Sequence, residues 1–270
     1  MLETLGKALD FDPVDHFALR CGAHRIGWVQ PAFADTLAAH PEVFAREANA
    51  VRILHPEKLE ATVRALAAEG CIGGWRNEPF EVRAGTAVLF MLERAAFRPF
   101  GMLASASHLN GWVREGTDFK LWVARRSASK PVDPGMLDNL VGGGIAAGSS
   151  PLATMQKECM EEAGIPPALS RLAQAAGRLR VTRAVENGVH DEIIHAWDLE
   201  LPRDFTPANQ DGEVAGFTLL DPDTLATKLL AQEFTIDAAA VTIDFLWRRG
   251  ALADPSVGEV LAELRARAHR

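Results

Sequence analysis

Hydrophobic positions along this chain recur with two periods, and each change of period marks an element. In the first hundred residues "RIGWVQ" (25–30) and "AVRILHP" (50–56) read as short strands, with "PAFADTLAAHP" (31–41) between them as a proline-bracketed helix. "PEKLEATVRALAAEG" (56–70) predicts a stronger helix. Leu59, Val63 and Leu66 share one face, Pro56 stands before the first turn and Gly70 closes the last. "TAVLFML" (86–92) reads as a strand and "RAAFRPFGML" (94–103) as a connection.

Beyond residue 100 the texture changes. "SHLNGWVR" and "DFKLWVARRS" predict a strand pair turning at "EGTD", and "LDNLVGGG" a strand running into glycines. A helix is expected over residues 151–163. "RLRVTRAVENGVHDEIIHAWDLEL" predicts a hairpin around "ENG", and "EVAGFTLL" a further strand. Three helical patterns follow: "DPDTLATKLLAQ", "IDAAAVTIDFLWRRG" and the amphipathic "DPSVGEVLAELRARAHR". The order β-β-β-α-β-β-β-α implies a mixed sheet covered by helices. The expected division is a small α+β unit over 1–100 and an α/β domain over 101–270.

Composition narrows the class of function. A formal net charge of −8 over 270 residues argues against nucleic-acid binding through a general basic surface, while leaving room for a locally basic pocket. Cys21, Cys71 and Cys159 are odd in number and far apart, which suits reduced thiols in the cytoplasm better than a disulfide framework. The first residues, "MLETLGKALDFDP", lack the basic and apolar regions of a signal peptide, and no apolar run of about 18 residues predicts a membrane span.

The chemistry concentrates in "GGGIAAGSSPLATMQKECMEEAGI" (142–165). Its helix has legible ends: Ser150 as N-cap, Pro151 at the first helical position and Gly164 at the left-handed C′ position. Leu152, Met155, Cys159 and Ala163 form an apolar stripe. Glu158, Glu161 and Glu162 stand at i, i+3 and i+4, so their carboxylates share a face pointing away from Cys159. Like charges at this spacing repel, and acids near a helix C-terminus oppose its dipole. A hard divalent cation, Mg²⁺ or Mn²⁺, removes both penalties. A solvated acidic face is the plainer reading of three glutamates taken alone. Gly142, Gly143 and Gly144 add backbone that either approaches a ligand closely or adopts positive φ.

The loop and helix at this spacing resemble the Nudix box: Gly, five residues, Glu, seven residues, then Arg-Glu-apolar-any-Glu-Glu-any-Gly-apolar. With its first glycine at Gly143, residues Glu158, Cys159, Glu161, Glu162, Gly164 and Ile165 fall on pattern. Ser149 stands where the early Glu is usual and Lys157 where Arg is usual; in the family both positions support the loop–helix geometry. "HLNGWV", "LWVARRSASKPVDPGMLDNLVGGG", "DLELPRDFTPANQDGEVAGFTLL" and "IDFLWRRG" resemble a Nudix subfamily with an extra N-terminal domain, related to the Nudix half of thiamine pyrophosphokinase fusion proteins.

This resemblance implies an α/β fold, a Nudix α/β/α sandwich with a mixed sheet preceded by a small α+β N-terminal domain. It also implies an enzyme that hydrolyses a small-molecule diphosphate by water attack at phosphorus, with thiamine diphosphate or its oxidised or damaged analogues as the attractive substrates. Glu158, Glu161 and Glu162 would hold Mg²⁺ or Mn²⁺, and Glu161 or Glu162 would act as general base. Glu213 is a further candidate for metal or base, with a polar turn role equally open. Arg126 and Lys130 are expected to contact phosphate, with a role as surface charges equally open, Arg125 pointing to the opposite face of its strand. Gly143 and Gly144 would approach the substrate. His108 and Asn110 would touch the head group or serve a structural turn. Trp112 and Trp122 are expected in the core, and His190 and His195 as ordinary strand residues.

Three other readings stay open: hydrolysis of a nucleoside diphosphate derivative such as ADP-ribose, isomerisation of an isoprenoid diphosphate, and ligand binding without turnover. The N-terminal unit is expected to shape the head-group pocket, cover the site or mediate a homodimer.

Overall fold

A computed structural model describes residues 1–130, 132–210 and 212–269. Its N-terminal portion contains α1 (Leu2–Lys7), β1 (Phe17–Cys21), β2 (His24–Val29), α2 (Pro31–Ala38), β3 (Phe44–Arg46), β4 (Ala50–Ile53), α3 (Leu59–Ala68), β5 (Pro79–Ala84) and β6 (Ala87–Glu93). The first four strands form a sheet in the order β2-β1-β4-β3, with β1 and β4 parallel. The hairpin β5–β6 stands as a separate two-stranded sheet. Leu59, Val63 and Leu66 of α3 are buried as predicted, in a core with Leu37, Phe44 and Phe100.

The rest of the chain follows as β7 (Leu103–Glu115), β8 (Asp118–Arg126), β9 (Leu137–Asn139), β10 (Val141–Gly144), α4 (Pro151–Ala163), α5 (Pro167–Ser170), β11 (Gln174–Val185), β12 (Gly188–Glu200), β13 (Val214–Leu220), α6 (Pro222–Leu230), α7 (Ile236–Arg248) and α8 (Pro255–Arg267). Strands β11-β12-β7-β8-β13 make a mixed sheet in which only β12 and β7, among these neighbours, run parallel; β10 pairs with β7 and β9 with β8. Successive residues of β7 feed opposite faces, as the period-2 rule demands. Trp112 enters a core with α7 and α8, whereas Val113 enters one with Met155, Cys159 and Ala163 of α4. Helices therefore cover both faces, giving an α/β/α sandwich. Helix α7 is apolar nearly all round and is buried from Ala238 to Leu246.

Three sequence expectations change. The single strand expected over 137–144 is two strands, split at fully buried Leu140, because β9 follows β8 while β10 crosses to β7. The division at residue 100 is not clean: Leu5 and Ala8 of the α1 region sit in the C-terminal core, and Ala8 O accepts from Thr182 N at 2.8 Å. Apolar contacts thus return the first residues to the second unit. Strands β1, β3 and β5 lie outside the expected elements; β1 and β3 are short and without clear alternation, whereas β5 does alternate, with Phe80 and Val82 buried and Glu81 and Arg83 turned outward. The predicted terminal helix ends at Arg267, and its last residue, Arg270, lies outside the described residues.

Candidate active site

The site is assembled around α4. Ser150 Oγ accepts from Ala153 N at 3.1 Å, Pro151 opens the helix, and Gly164 closes it at φ 63°. Gly164 N reaches Met160 O at 3.2 Å, satisfying a carbonyl that the helix end would otherwise leave open, and Ile165 N closes back on Cys159 O at 2.8 Å. Met155, Cys159 and Ala163 are fully buried, but Leu152 is 44% exposed. Thr154 turns inward instead, its hydroxyl 2.9 Å from Ser149 Oγ.

The three box glutamates occupy three environments rather than one shared face. Glu162 is buried, and its Oε2 accepts from Gly142 N at 2.9 Å. Glu158 lies against Gly143, whose missing Cβ would fall 2.5 Å from Glu158 Cγ. Glu161 points outward to Lys157 Nζ at 2.6 Å, and the same ammonium reaches Glu158 Oε1 at 3.2 Å. Burial pushes the Glu158 carboxyl above its ordinary range. Burial also lifts Glu162 to about 8, with Asp138 and Glu158 adding to the rise against the Gly142 bond.

These residues fit a hard divalent cation. The donors are all oxygen, one carboxylate is buried and a second half-buried without full compensation, and a lysine ammonium already bridges Glu158 and Glu161 as a local cation. Gly142, Gly143 and Gly144 have no positive φ, so their role is space rather than backbone freedom. Gly144 is closed off by Phe80, whose Cζ would lie 2.6 Å from an added Cβ.

Lys157, Glu158, Glu161 and Glu162 line a cavity of about 570 Å³ with Gly143, Gly144, His108, Arg126, Lys130 and Glu213. Lys130 and Glu213 form an ion pair, and Glu213 also meets Arg76 Nη1 at 3.3 Å. Burial depresses the Lys130 pKa despite nearby Glu162. Two expected substrate contacts need correction. Arg126 reaches the wall, but its guanidinium is committed to Asp138 at 2.7 Å and to the carbonyls of Val132 and Asp133, so it braces that loop. Asn110 is fully buried and outside the cavity lining; its amide joins Asn139 and Asp198 at 3.1 Å each. It completes a polar network inside the sandwich, where unsatisfied amides are costly. His108 sits under Gly142 and shares this network through Asn139, at 2.8 Å.

His190 is more than an ordinary strand residue. Together with Glu192 two residues on and Asp237 at the start of α7, it presents ligand-type atoms all within 4.8 Å of one another on the same cavity. His190 Nε2 lies 3.0 Å from Asp237 Oδ1, and Arg98 Nη2 is 3.5 Å from its Nδ1. Burial would lower the His190 pKa, but Asp237 and Glu192 outweigh it and hold the ring above its usual value. The 47-residue separation of His190 and Asp237 hides this cluster from any local motif. His195 stays off the cavity, and burial pushes its pKa down to about 4.

Residues 111–241 match the family described as NUDIX domain, a span that contains the glycine loop and all three helix glutamates. The chain carries a Nudix domain. Residues 10–104 match a domain of unknown function, DUF4743. The chain is 39% identical over 199 residues to Nudix hydrolase 20, chloroplastic, of Arabidopsis thaliana, covering 73% of this chain and 53% of that one. It is 31% identical over 213 residues to the uncharacterized protein YJR142W of Saccharomyces cerevisiae, covering 74% and 62% respectively. The chain thus spans just over half the length of the Arabidopsis relative. Among solved structures, DR0079 from Deinococcus radiodurans aligns at 22% identity and a TM-score of 0.45, covering 58% of this chain and 92% of that one. No helix among the described residues is long and apolar enough to cross a membrane.

Proposed function

We propose that this chain is a divalent-metal-dependent Nudix pyrophosphohydrolase that cleaves a diphosphate linkage in a small molecule. The observation carrying this reading is the pair of carboxylates, buried Glu162 and half-buried Glu158, held against the glycine strand on the wall of a polar cavity. Glu158, Glu161 and Glu162 would hold Mg²⁺ or Mn²⁺, with Glu213 a candidate from the opposite side. When bound, such an ion neutralises phosphate oxygens and acidifies an attacking water.

The chain's own groups divide the remaining work. Glu162, tied to Gly142 N, is suited to holding a position. Glu161, the more exposed carboxylate, is free to take a proton from water once Lys157 is displaced. Lys130 adds positive charge beside Glu162. For the organic part we favour thiamine diphosphate or its oxidised analogues. Two considerations support this: the subfamily resemblance, and the part of the cavity wall where Glu192 and Asp237 offer acceptors to a head group bearing N–H donors or positive charge. Cys21, Cys71 and Cys159 are unpaired, in keeping with a reducing compartment such as the cytoplasm.

Chromatographic analysis of the phosphate-containing products, inorganic phosphate and phosphomonoesters alike, tests the proposal over thiamine diphosphate, its oxidised analogues, ADP-ribose and an isoprenoid diphosphate, with and without Mg²⁺. Turnover of a thiamine-type compound supports the full reading, and preference for ADP-ribose would replace the substrate. A rearranged organic product without phosphate release would make the protein an isomerase. Binding without turnover of any compound would sink the enzymatic reading.

A further inference from the structure

A diphosphate brings more negative charge than a single bound cation offsets, so its oxygens need cationic side chains as well. Among the described residues, the Nudix domain supplies three cations to the cavity wall. Of these, Arg126 is committed to residues 132–138, Lys130 shares the Glu213 carboxylate with Arg76, and Lys157 lies on the box glutamates. The other arginines on that wall, Arg76, Arg94 and Arg98, all lie within the DUF4743 match. Arg98 is directed at His190.

We propose that Arg76 and Arg94 bind the substrate's diphosphate, so that the N-terminal unit completes the Nudix active site. This inference rests on the pyrophosphohydrolase reading above.

The N-terminal unit builds this position with care. Glu93 is only 6% exposed, and its carboxylate accepts from the backbone N–H groups of Arg76 at 2.9 Å and Glu78 at 2.8 Å. A buried acid thus fixes the loop that carries Arg76, while Arg94 N binds Glu78 O at 3.0 Å and starts from the adjoining residue. The Arg94 guanidinium lies 5.2 Å from the centre of the Phe80 ring, the same ring that closes off Gly144.

Strand β5 is also registered to the glycine loop. Pro79 O accepts from Ala147 N at 2.8 Å, and Glu81 Oε1 accepts from Gly148 N at 3.1 Å. This bracing supports the loop next to Ser149, where the usual box glutamate is absent. The arginines and the box glutamates are therefore held in one frame. Glu78, the partner of Arg94, lines the same cavity wall as Glu158. The present partners, Glu78 at 2.6 Å from Arg94 and Glu213 at 3.3 Å from Arg76, are about one-third exposed. Pairs of that kind exchange for a better anion at little cost, and a guanidinium fork matches two phosphate oxygens.

The test uses the full chain with Mg²⁺ and titrates inorganic pyrophosphate into wild type, R76Q, R94Q and the double variant by calorimetry, alongside KM for the substrate. Each single variant should weaken pyrophosphate binding and raise KM by about tenfold or more, the loss of one charge-assisted contact. Mn²⁺ affinity without pyrophosphate should be unchanged, as should the melting temperature. R76K and R94K should recover part of the loss and carry the test if a glutamine variant melts early. Pyrophosphate affinity and KM within twofold of wild type in the double variant would overturn the proposal, as would equal losses of Mn²⁺ affinity. A wild-type chain that binds pyrophosphate but cleaves no diphosphate would fail the hydrolase reading alone, and the titration would still judge the arginines.

Discussion

Replacing Gly143 with alanine tests whether the glycine strand exists to seat Glu158. The backbone at Gly143 is not in a positive-φ conformation, so alanine adds a methyl group without backbone strain. That methyl would sit 2.5 Å from Glu158 Cγ, 2.6 Å from Cδ and 2.9 Å from Oε1. Restoring ordinary contact at 3.4 Å requires the Glu158 chain to retreat by 3.4 − 2.5 = 0.9 Å. A displacement of about 1 Å in a positioned catalytic group costs on the order of 10²-fold in rate, or ~2.7 kcal/mol of transition-state stabilisation. The assay is kcat with saturating Mg²⁺ together with Mn²⁺ affinity, and circular dichroism checks the fold. Gly142→Ala is the internal comparison. Its nearest clash is milder, 3.2 Å to His108 Cε1, so its loss should be distinctly smaller. Equal activity in Gly143→Ala and wild type, with Mn²⁺ affinity unchanged, would refute the seating role.

Glu162→Gln should stabilise the metal-free protein while abolishing its response to Mg²⁺. The native carboxyl titrates near 8 against an ordinary 4.5, so its ionisation costs the folded state progressively as pH rises from 4.5 towards 8. The gain should thus be small at pH 5 and on the order of 3 kcal/mol at pH 7, read from denaturant midpoints; a gain largest at pH 5 would reverse the sign. Exposed Cys71 should react with a thiol reagent at pH 8, whereas Cys159, fully buried and pushed up to about 12, should react only on unfolding. Mass spectrometry of the labelled native protein reads the difference. Asn139→Ala should cost about 2–3 kcal/mol in urea unfolding, because it leaves His108, Asn110 and Thr242 without a shared partner.

Long elements were legible in the sequence because their periodicity is local. Helices α3, α4 and α7 and the strands flanking "ENG" follow from spacing and end signals alone. "FALRC" and "FAR" were not legible as strands. Each is too short to show alternation, and their pairing comes from partners up to 32 residues away, as between Ala18 and Ala50. The box glutamates were readable from their intervals, but the difference between them was not. The burial of Glu162 and the outward turn of Glu161 depend on where β10 lies beneath the helix. Arg126 and Asn110 show the converse: residue type suggested ligand contact, while the tertiary neighbours spend their donors on loop carbonyls and on a buried network. The contribution of Arg76 and Arg94 was hidden because it depends on how β5 docks on the glycine loop.

The most direct measurement is hydrolysis in ¹⁸O-labelled water, with the phosphate-containing products analysed by mass spectrometry. A divalent-cation-assisted attack of water at phosphorus predicts one ¹⁸O per cleavage in a phosphate product, dependent on Mg²⁺ and lost in Glu158→Gln. Release that persists with a chelator present, or an organic product that leaves with its diphosphate intact and unlabelled, would contradict the account.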